Sequence, residues 1–89
     1  MKVILDIPSY SENSGIVFKW EGDFQIKVVS EDGDVYIKAN ADGLTSLANH
    51  LLNLAQTSVP IGTHIHLDEY NSLEEDSLDL IIEKIESVN

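Results

Sequence analysis

The sequence predicts an α+β fold in which an antiparallel sheet of about five or six strands packs on one amphipathic helix, in the order ββββ-α-ββ. Three observations support this prediction. Short β-branched runs alternate with a period of two, single glycines separate the early runs, and one central stretch changes to helical periodicity. The 89 residues are expected to form a single domain, 1–89, because a second core would need about 100 residues of its own.

Four strands are expected before the helix. Their residues are 2–7, 16–20, 24–30 and 35–39. Pro8 ends the first run, and the turn Glu21-Gly22-Asp23 joins the second and third runs in a pattern typical of a hairpin. A second turn, centred on Gly33, joins the third run to the fourth and predicts another hairpin.

A single helix is expected over residues 42–57, capped by the side chain of Asn40 or Asp42 and ended before Pro60. Its apolar residues recur at the spacing of one helical face, which is expected to pack on the sheet. They are Leu44, Leu47, Ala48, Leu51, Leu52 and Ala55.

Two further strands are expected after the helix. In residues 63–68 the alternation turns Ile65 and Leu67 inward and the polar side chains outward. Residues 78–87 fit a strand or a helix, since both periods group their apolar side chains. The strand is preferred because a loop of about ten residues precedes the segment, which suits a connection between strands.

The charge of the chain limits its partners. Sixteen acidic residues, five lysines and no arginine give a net charge of −11. Nucleic acid is therefore excluded as a natural partner, because phosphate binding relies on Lys and Arg, and a basic partner is expected instead. Eight of the acids lie in residues 68–89, beside one base, Lys84.

The cellular setting is also limited by composition. The chain contains no cysteine, which excludes disulfides and thiol nucleophiles. No window approaches the roughly 18 consecutive apolar residues of a membrane span, and the first ten residues lack the features of a signal peptide. A cytoplasmic protein without membrane contact is expected.

An acidic segment near the end of the chain is the candidate partner-binding surface. Its members are Asp68, Glu69, Tyr70, Glu74, Glu75 and Asp76. The carboxylates would attract a basic partner, and Tyr70 would supply an anchor, because tyrosine is enriched where binding energy is concentrated. The alternative is a solvated surface that only keeps the protein soluble. Phe18 and Trp20 share one face of an expected strand, and a place in the core is expected for them over an interface role.

A metal site is the alternative from another functional class. Period two places His64, His66 and Asp68 on one side of a strand, where imidazoles and a carboxylate could share an ion. The set lacks a third strong ligand, because no sequence pattern places the remaining histidine, His50, near it. The three residues are therefore expected to be exposed strand residues without a ligand. No serine-nucleophile motif or glycine-rich phosphate loop occurs, so neither an enzyme nor a cofactor is expected.

Short motifs over residues 35–85 complete the sequence evidence. They are Asp42-Gly43-Leu44-x-x-Leu47-Ala48-x-x-Leu51-x-x-Leu54-Ala55, Val59-Pro60-x-Gly62-x-His64-Ile65-His66-Leu67-Asp68, Ser72-Leu73 and Leu80-Ile81-Ile82-Glu83-Lys84. In this order and spacing the segment resembles the immunity protein 32 family of bacterial polymorphic toxin systems. The resemblance implies a small α+β protein, without catalysis, that binds and neutralises a secreted toxin inside the producing cell or its kin.

The resemblance and the charge agree on the kind of partner. Many toxin domains are nucleases with a basic cleft, which an acidic protein could occlude by imitating phosphate. We therefore expect a cognate toxin with a basic cleft as the partner. A non-catalytic dimeric interaction module is a further alternative, and an exposed edge strand or uncovered sheet face would allow a homodimer.

Overall fold

The computed structural model describes residues 1–87 and has the element order ββαββ. The elements are β1 (Ile26–Glu31), β2 (Asp34–Ala39), α1 (Ala41–Ala55), β3 (His64–Leu67) and β4 (Leu80–Glu83). β1 pairs with β2 and β3 pairs with β4, each antiparallel. The α+β class is confirmed, but the expectation of one sheet of five or six strands is wrong: the described residues form two sheets of two strands each.

The β1–β2 hairpin follows the sequence pattern closely. Its register runs from Ile26 opposite Ala39 to Glu31 opposite Asp34. The two residues between the strands, Asp32 and Gly33, have φ angles of 52° and 84°. Positive φ at both central positions is the geometry of the tight hairpin turn that the Asp-Gly pair predicts.

The first two expected strands do not form. Residues 2–7 and 16–20 contain no strand, and the 16–20/24–30 hairpin is absent. Polar side chains on one face of α1 instead form hydrogen bonds with the backbone of this region. Asn49 Nδ2 donates to the Asp6 carbonyl at 2.9 Å, and Asn53 Nδ2 donates to the Val17 carbonyl at 2.8 Å. Since these carbonyls are bonded by side chains, a neighbouring strand is not needed to satisfy them.

Two further bonds extend the same face of α1. Gln56 Nε2 donates to the Pro8 carbonyl at 3.0 Å, and Ser46 Oγ accepts the Glu21 amide at 2.8 Å. The four polar residues therefore recur at i, i+3, i+7 and i+10, which is the spacing of a single helical face.

The helix consequently presents a different face to the protein than expected. Leu44, Leu51 and Leu52 are 56%, 49% and 52% exposed, although all three belong to the stripe expected to be buried. Only Leu47 of that stripe joins the core. The buried residues of α1 are Gly43, Ser46, Leu47, Asn49, His50, Asn53 and Leu54. The polar face is buried because the irregular N-terminal region covers it.

The ends of α1 are fixed by side chains. Asn40 Oδ1 accepts the Gly43 amide at 2.8 Å and the Gln25 amide at 3.0 Å, so the predicted N-cap is confirmed and also ties the helix to the start of β1. At the other end, Lys84 Nζ donates to the carbonyls of Gln56 and Val59 at 2.7 and 2.8 Å. A cation at this end complements the partial negative charge of the helix C-terminus.

The core lies between α1 and the two sheets. Its buried members are Ile26, Val28, Leu47, Leu67 and Leu73, with Trp20, Phe24, Ala39 and Leu80 packed against them. The predicted alternation of β3 is confirmed, since Ile65 and Leu67 are buried while His64 and His66 are exposed. Of the segment 78–87, only Leu80–Glu83 is a strand.

The segment before β4 joins the two sheets. The amides of Glu74 and Leu78 donate to the carbonyls of Ile26 and Val28, each at 2.8 Å, so this segment lies along β1 before the chain pairs with β3. Within residues 1–87 no helix is long and apolar enough to cross a bilayer.

Candidate functional site

The acidic loop, residues 68–76, connects β3 to the segment that borders β1. It begins with a turn built on Asp68, whose Oδ1 accepts the amides of Tyr70 at 2.9 Å and Asn71 at 3.0 Å. Asn71 Nδ2 in turn donates to the His66 carbonyl at 3.0 Å. An aspartate that bonds the amides following it is a standard way to form a turn, and it gives the first half of the loop a defined shape.

The second half of the acidic loop is anchored as well. Leu73 is buried in the core, and the next residue bonds to β1. Asp76 adopts a positive φ of 66°, and its amide donates to Glu69 Oε2 at 3.0 Å. Ser77 Oγ accepts the Val28 amide at 3.2 Å immediately afterwards. The loop is therefore held at both ends and across its middle.

Tyr70 lies in the first half of this loop. The residue is 91% exposed, which is unusual for a large aromatic residue. Together with Glu69 and Glu75 it lines a shallow hollow of about 340 Å³. The structure thus brings together an aromatic ring and carboxylates from both halves of the loop.

A second, larger hollow borders the same loop. It has a volume of about 540 Å³, and Glu74, Glu75 and Asp76 form one wall, while β1 and β2 contribute Lys27 and Lys38. Its lining therefore mixes both signs of charge, unlike the hollow at Tyr70.

The carboxylates of the acidic loop have no cationic partner among residues 1–87. The ion pairs in that range join Lys19 to Asp6, Lys38 to Glu31 and His66 to Asp79. The five carboxylates predicted as partner-binding are thus left to shape the local potential, which is negative.

The metal-ligand hypothesis is altered by the fold. The ligand atoms of His66, Asp68 and Asp79 lie within 4.8 Å of one another, and His66 Nε2 is 2.9 Å from Asp79 Oδ2. His64, which the spacing grouped with them, is not part of this cluster and lies opposite Glu83 in the β3–β4 pair. The sequence pattern did not predict Asp79, because this residue lies next to β4 and the spacing of residues along β3 gives no information about it.

His50 is the titratable residue whose environment departs most from its sequence prediction. It is completely buried, and its ring meets those of Phe18 and Trp20 edge to face, at centroid distances of 5.0 and 4.3 Å. Neither ring nitrogen has a hydrogen-bond partner among residues 1–87, and burial lowers the pKa of His50 from 6.5 to about 4. His50 is thus a neutral packing residue at ordinary pH. Trp20 packs against the core, whereas Phe18 is 38% exposed, so the core role is supported for Trp20 alone.

Comparisons with known proteins add the family. No curated protein and no solved structure matches the chain. The family model described as Immunity protein 32 matches residues 34–85, which are more than half of the chain and include β2, α1, β3, the acidic loop and β4. The chain therefore belongs to the immunity protein 32 family.

Proposed function

We propose that this protein neutralises a cognate bacterial toxin by docking the acidic loop into a basic cleft at the toxin's active site. Family membership supports the immunity role and a toxin as the partner. The observation that carries the choice of surface is Tyr70, which is 91% exposed among carboxylates that have no cationic partner in the described chain.

Inhibition by this surface follows from charge and shape. Carboxylates on an exposed loop can occupy a cleft that binds phosphate, and the complementary charge steers the encounter, at rates of about 10⁸ to 10⁹ M⁻¹s⁻¹ at low salt. The ring of Tyr70 supplies apolar area that is removed from water on docking. Because the hydrogen bonds of Asp68 and Glu69 already order the loop, little conformational entropy is lost when it binds.

The proposal also has consequences for catalysis and for the cellular location of the protein. Occlusion of a cleft breaks no bond, so the role requires neither catalysis nor a cofactor. A toxin must be neutralised where it can act on its producer, and a cytoplasmic location is part of the proposal.

The test is a charge reversal in the acidic loop. Glu74→Lys with Glu75→Lys changes the net charge by four units, and the matched control Glu12→Lys with Glu86→Lys makes the same change at exposed positions elsewhere. Association with the proposed cognate toxin domain is followed by stopped-flow fluorescence at several salt concentrations. We expect the loop variant to associate at least about tenfold more slowly and with a weaker salt dependence than the control. Equal kinetics for the two variants would remove the loop from the interface.

Metal binding is a second candidate function, favoured by the convergence of His66, Asp68 and Asp79 within 4.8 Å. Zn²⁺ is titrated into the metal-free protein by calorimetry. Binding that is lost in His66→Ala and in Asp79→Ala but kept in His64→Ala would support this site. Binding that depends on His64 would contradict the geometry, and absence of binding would leave His66 and Asp79 as a surface ion pair.

A further inference from the structure

The outer face of α1 is the least polar surface of the helix. It contains only uncharged residues, although about a quarter of the chain is charged: Ala41, Leu44, Thr45, Ala48, Leu51, Leu52 and Ala55. Protein surfaces normally intersperse charges over such an area, and an apolar helical face is normally buried. In this chain the polar face of α1 is the one that packs inward. The outer face is therefore left without a partner inside the described chain.

The sequence of this face has the pattern of a helix–helix seam. Leu44, Ala48, Leu51 and Ala55 are spaced four, three and four residues apart, which is the heptad spacing of two packed helices. Large and small side chains alternate along it. If a second copy of α1 lies antiparallel with residue 44 opposite residue 55, residue 48 falls opposite residue 51, and every leucine faces an alanine.

A hollow beside the seam fits this register. Leu51, Leu54, Ala55 and Lys84 line a hollow of about 180 Å³ at the C-terminal end of the helix. In the antiparallel register, Leu44 of a second copy lies opposite Ala55 and thus beside this hollow. A side chain inserted among residues of the facing helix is the knob-into-hole contact that stabilises such pairs.

We propose that the outer face of α1 is an isologous dimer interface, in which two copies of this chain pair their helices antiparallel along Leu44, Ala48, Leu51 and Ala55. The occupant is assigned from charge. Each copy carries −11, and an uncharged face lets two copies meet without bringing carboxylates together. A basic toxin, by contrast, is attracted to the acidic loop and gains nothing electrostatic at this face. The β2 edge and the sheet faces are not needed for this dimer.

The size of the seam sets the expected strength. Three helical turns supply less than the roughly 800 Å² per copy of a standard stable interface, so a dissociation constant on the order of 10 to 100 µM is expected. Added salt should strengthen the dimer, because it screens the repulsion between two acidic molecules. Added salt should weaken toxin association at the acidic loop. The two interfaces can therefore be distinguished by their salt dependence, and either proposal can be refuted without the other.

Sedimentation velocity of the isolated chain, from about 5 to 500 µM, tests the dimer. We expect a concentration-dependent dimer, weakened by about tenfold or more in Ala48→Glu and little changed in the control Ser30→Glu, which adds the same charge on β1. A chain that stays monomeric throughout overturns the proposal, as does a dimer that responds equally to both substitutions. Circular dichroism confirms that both variants retain their helix.

Disulfide cross-linking tests the register. Because the chain contains no cysteine, Leu44→Cys and Ala55→Cys each introduce a unique thiol. In the antiparallel register two copies of position 44 lie about 16 Å apart along the helix, too far to bridge, whereas position 44 faces position 55. Oxidation of mixed variants should therefore give the heterodisulfide in preference to either homodisulfide. Homodisulfides in the separate variants would overturn the antiparallel pairing.

Discussion

The neutral imidazole of His50 makes a specific contribution to the pH dependence of folding. Burial lowers its pKa from 6.5 to about 4, so the unfolded chain takes up the proton first as the pH falls. The contribution of His50 to the free energy of unfolding is complete above pH 6.5, falls between pH 6.5 and 4 and is lost below pH 4. The difference between a pKa of 6.5 in the unfolded chain and about 4 in the folded protein corresponds to about 3 kcal/mol in the free energy of unfolding.

The perturbation is His50→Leu, which removes the titrating group and the two ring nitrogens that have no hydrogen-bond partner in the described part of the chain. Urea unfolding is measured for the wild type and the variant between pH 7 and about 4.5. All other residues are the same in both proteins, so only the contribution of His50 remains in the difference. We expect the variant to gain about 2 to 3 kcal/mol relative to the wild type as the pH is lowered over this range.

The matched control is His64→Leu, because His64 is exposed on β3. This control keeps His50, so it should retain the pH dependence that His50→Leu loses. Equal pH dependence in the wild type and in His50→Leu would refute the reasoning, since it would mean that the imidazole of His50 reaches water or an unassigned partner in the folded protein.

Two further predictions concern the ends of α1. Gly43→Ala should lower the free energy of unfolding by about 1 to 3 kcal/mol, because the added Cβ would lie 2.5 Å from the backbone oxygen of Gln25, and urea unfolding measures the loss. An unchanged stability would show that β1 and the helix can separate freely at this point. Lys84→Met should cost about 1.5 to 3 kcal/mol, because the ammonium group bonds the carbonyls of Gln56 and Val59, and the melting temperature should fall accordingly. A variant as stable as the wild type would mean that water replaces both bonds without loss.

Local interactions explain the parts of the fold that the sequence predicts correctly. The Asp32-Gly33 turn, the Asn40 cap and the alternation of β3 each depend on residues a few positions apart. Their geometry is therefore encoded in short stretches of chain. The acidic composition of the loop at 68–76 is local in the same sense.

The wrong predictions all involve partners distant in sequence. A β-branched run such as 2–7 becomes a strand only if another strand meets it, and here Asn49 and Gln56 bond the carbonyls at Asp6 and Pro8 instead. The N-terminal region packs on the polar face of α1. Leu44, Leu51 and Leu52 on the outer face therefore remain exposed. Periodicity identifies the two faces of a helix but does not say which segment will cover each one.

Some features of the candidate site could likewise be predicted from the sequence, and others could not. The sequence by itself determined the net charge of −11, the clustering of carboxylates around Tyr70 and the family motifs. Only the tertiary structure decided that the acidic loop is anchored to β1, that Asp79 contacts His66, and that His50 is buried in contact with two aromatic rings. The physical reason is that charge and periodicity are properties of the chain, whereas burial and hydrogen-bond partners depend on which distant segments come into contact.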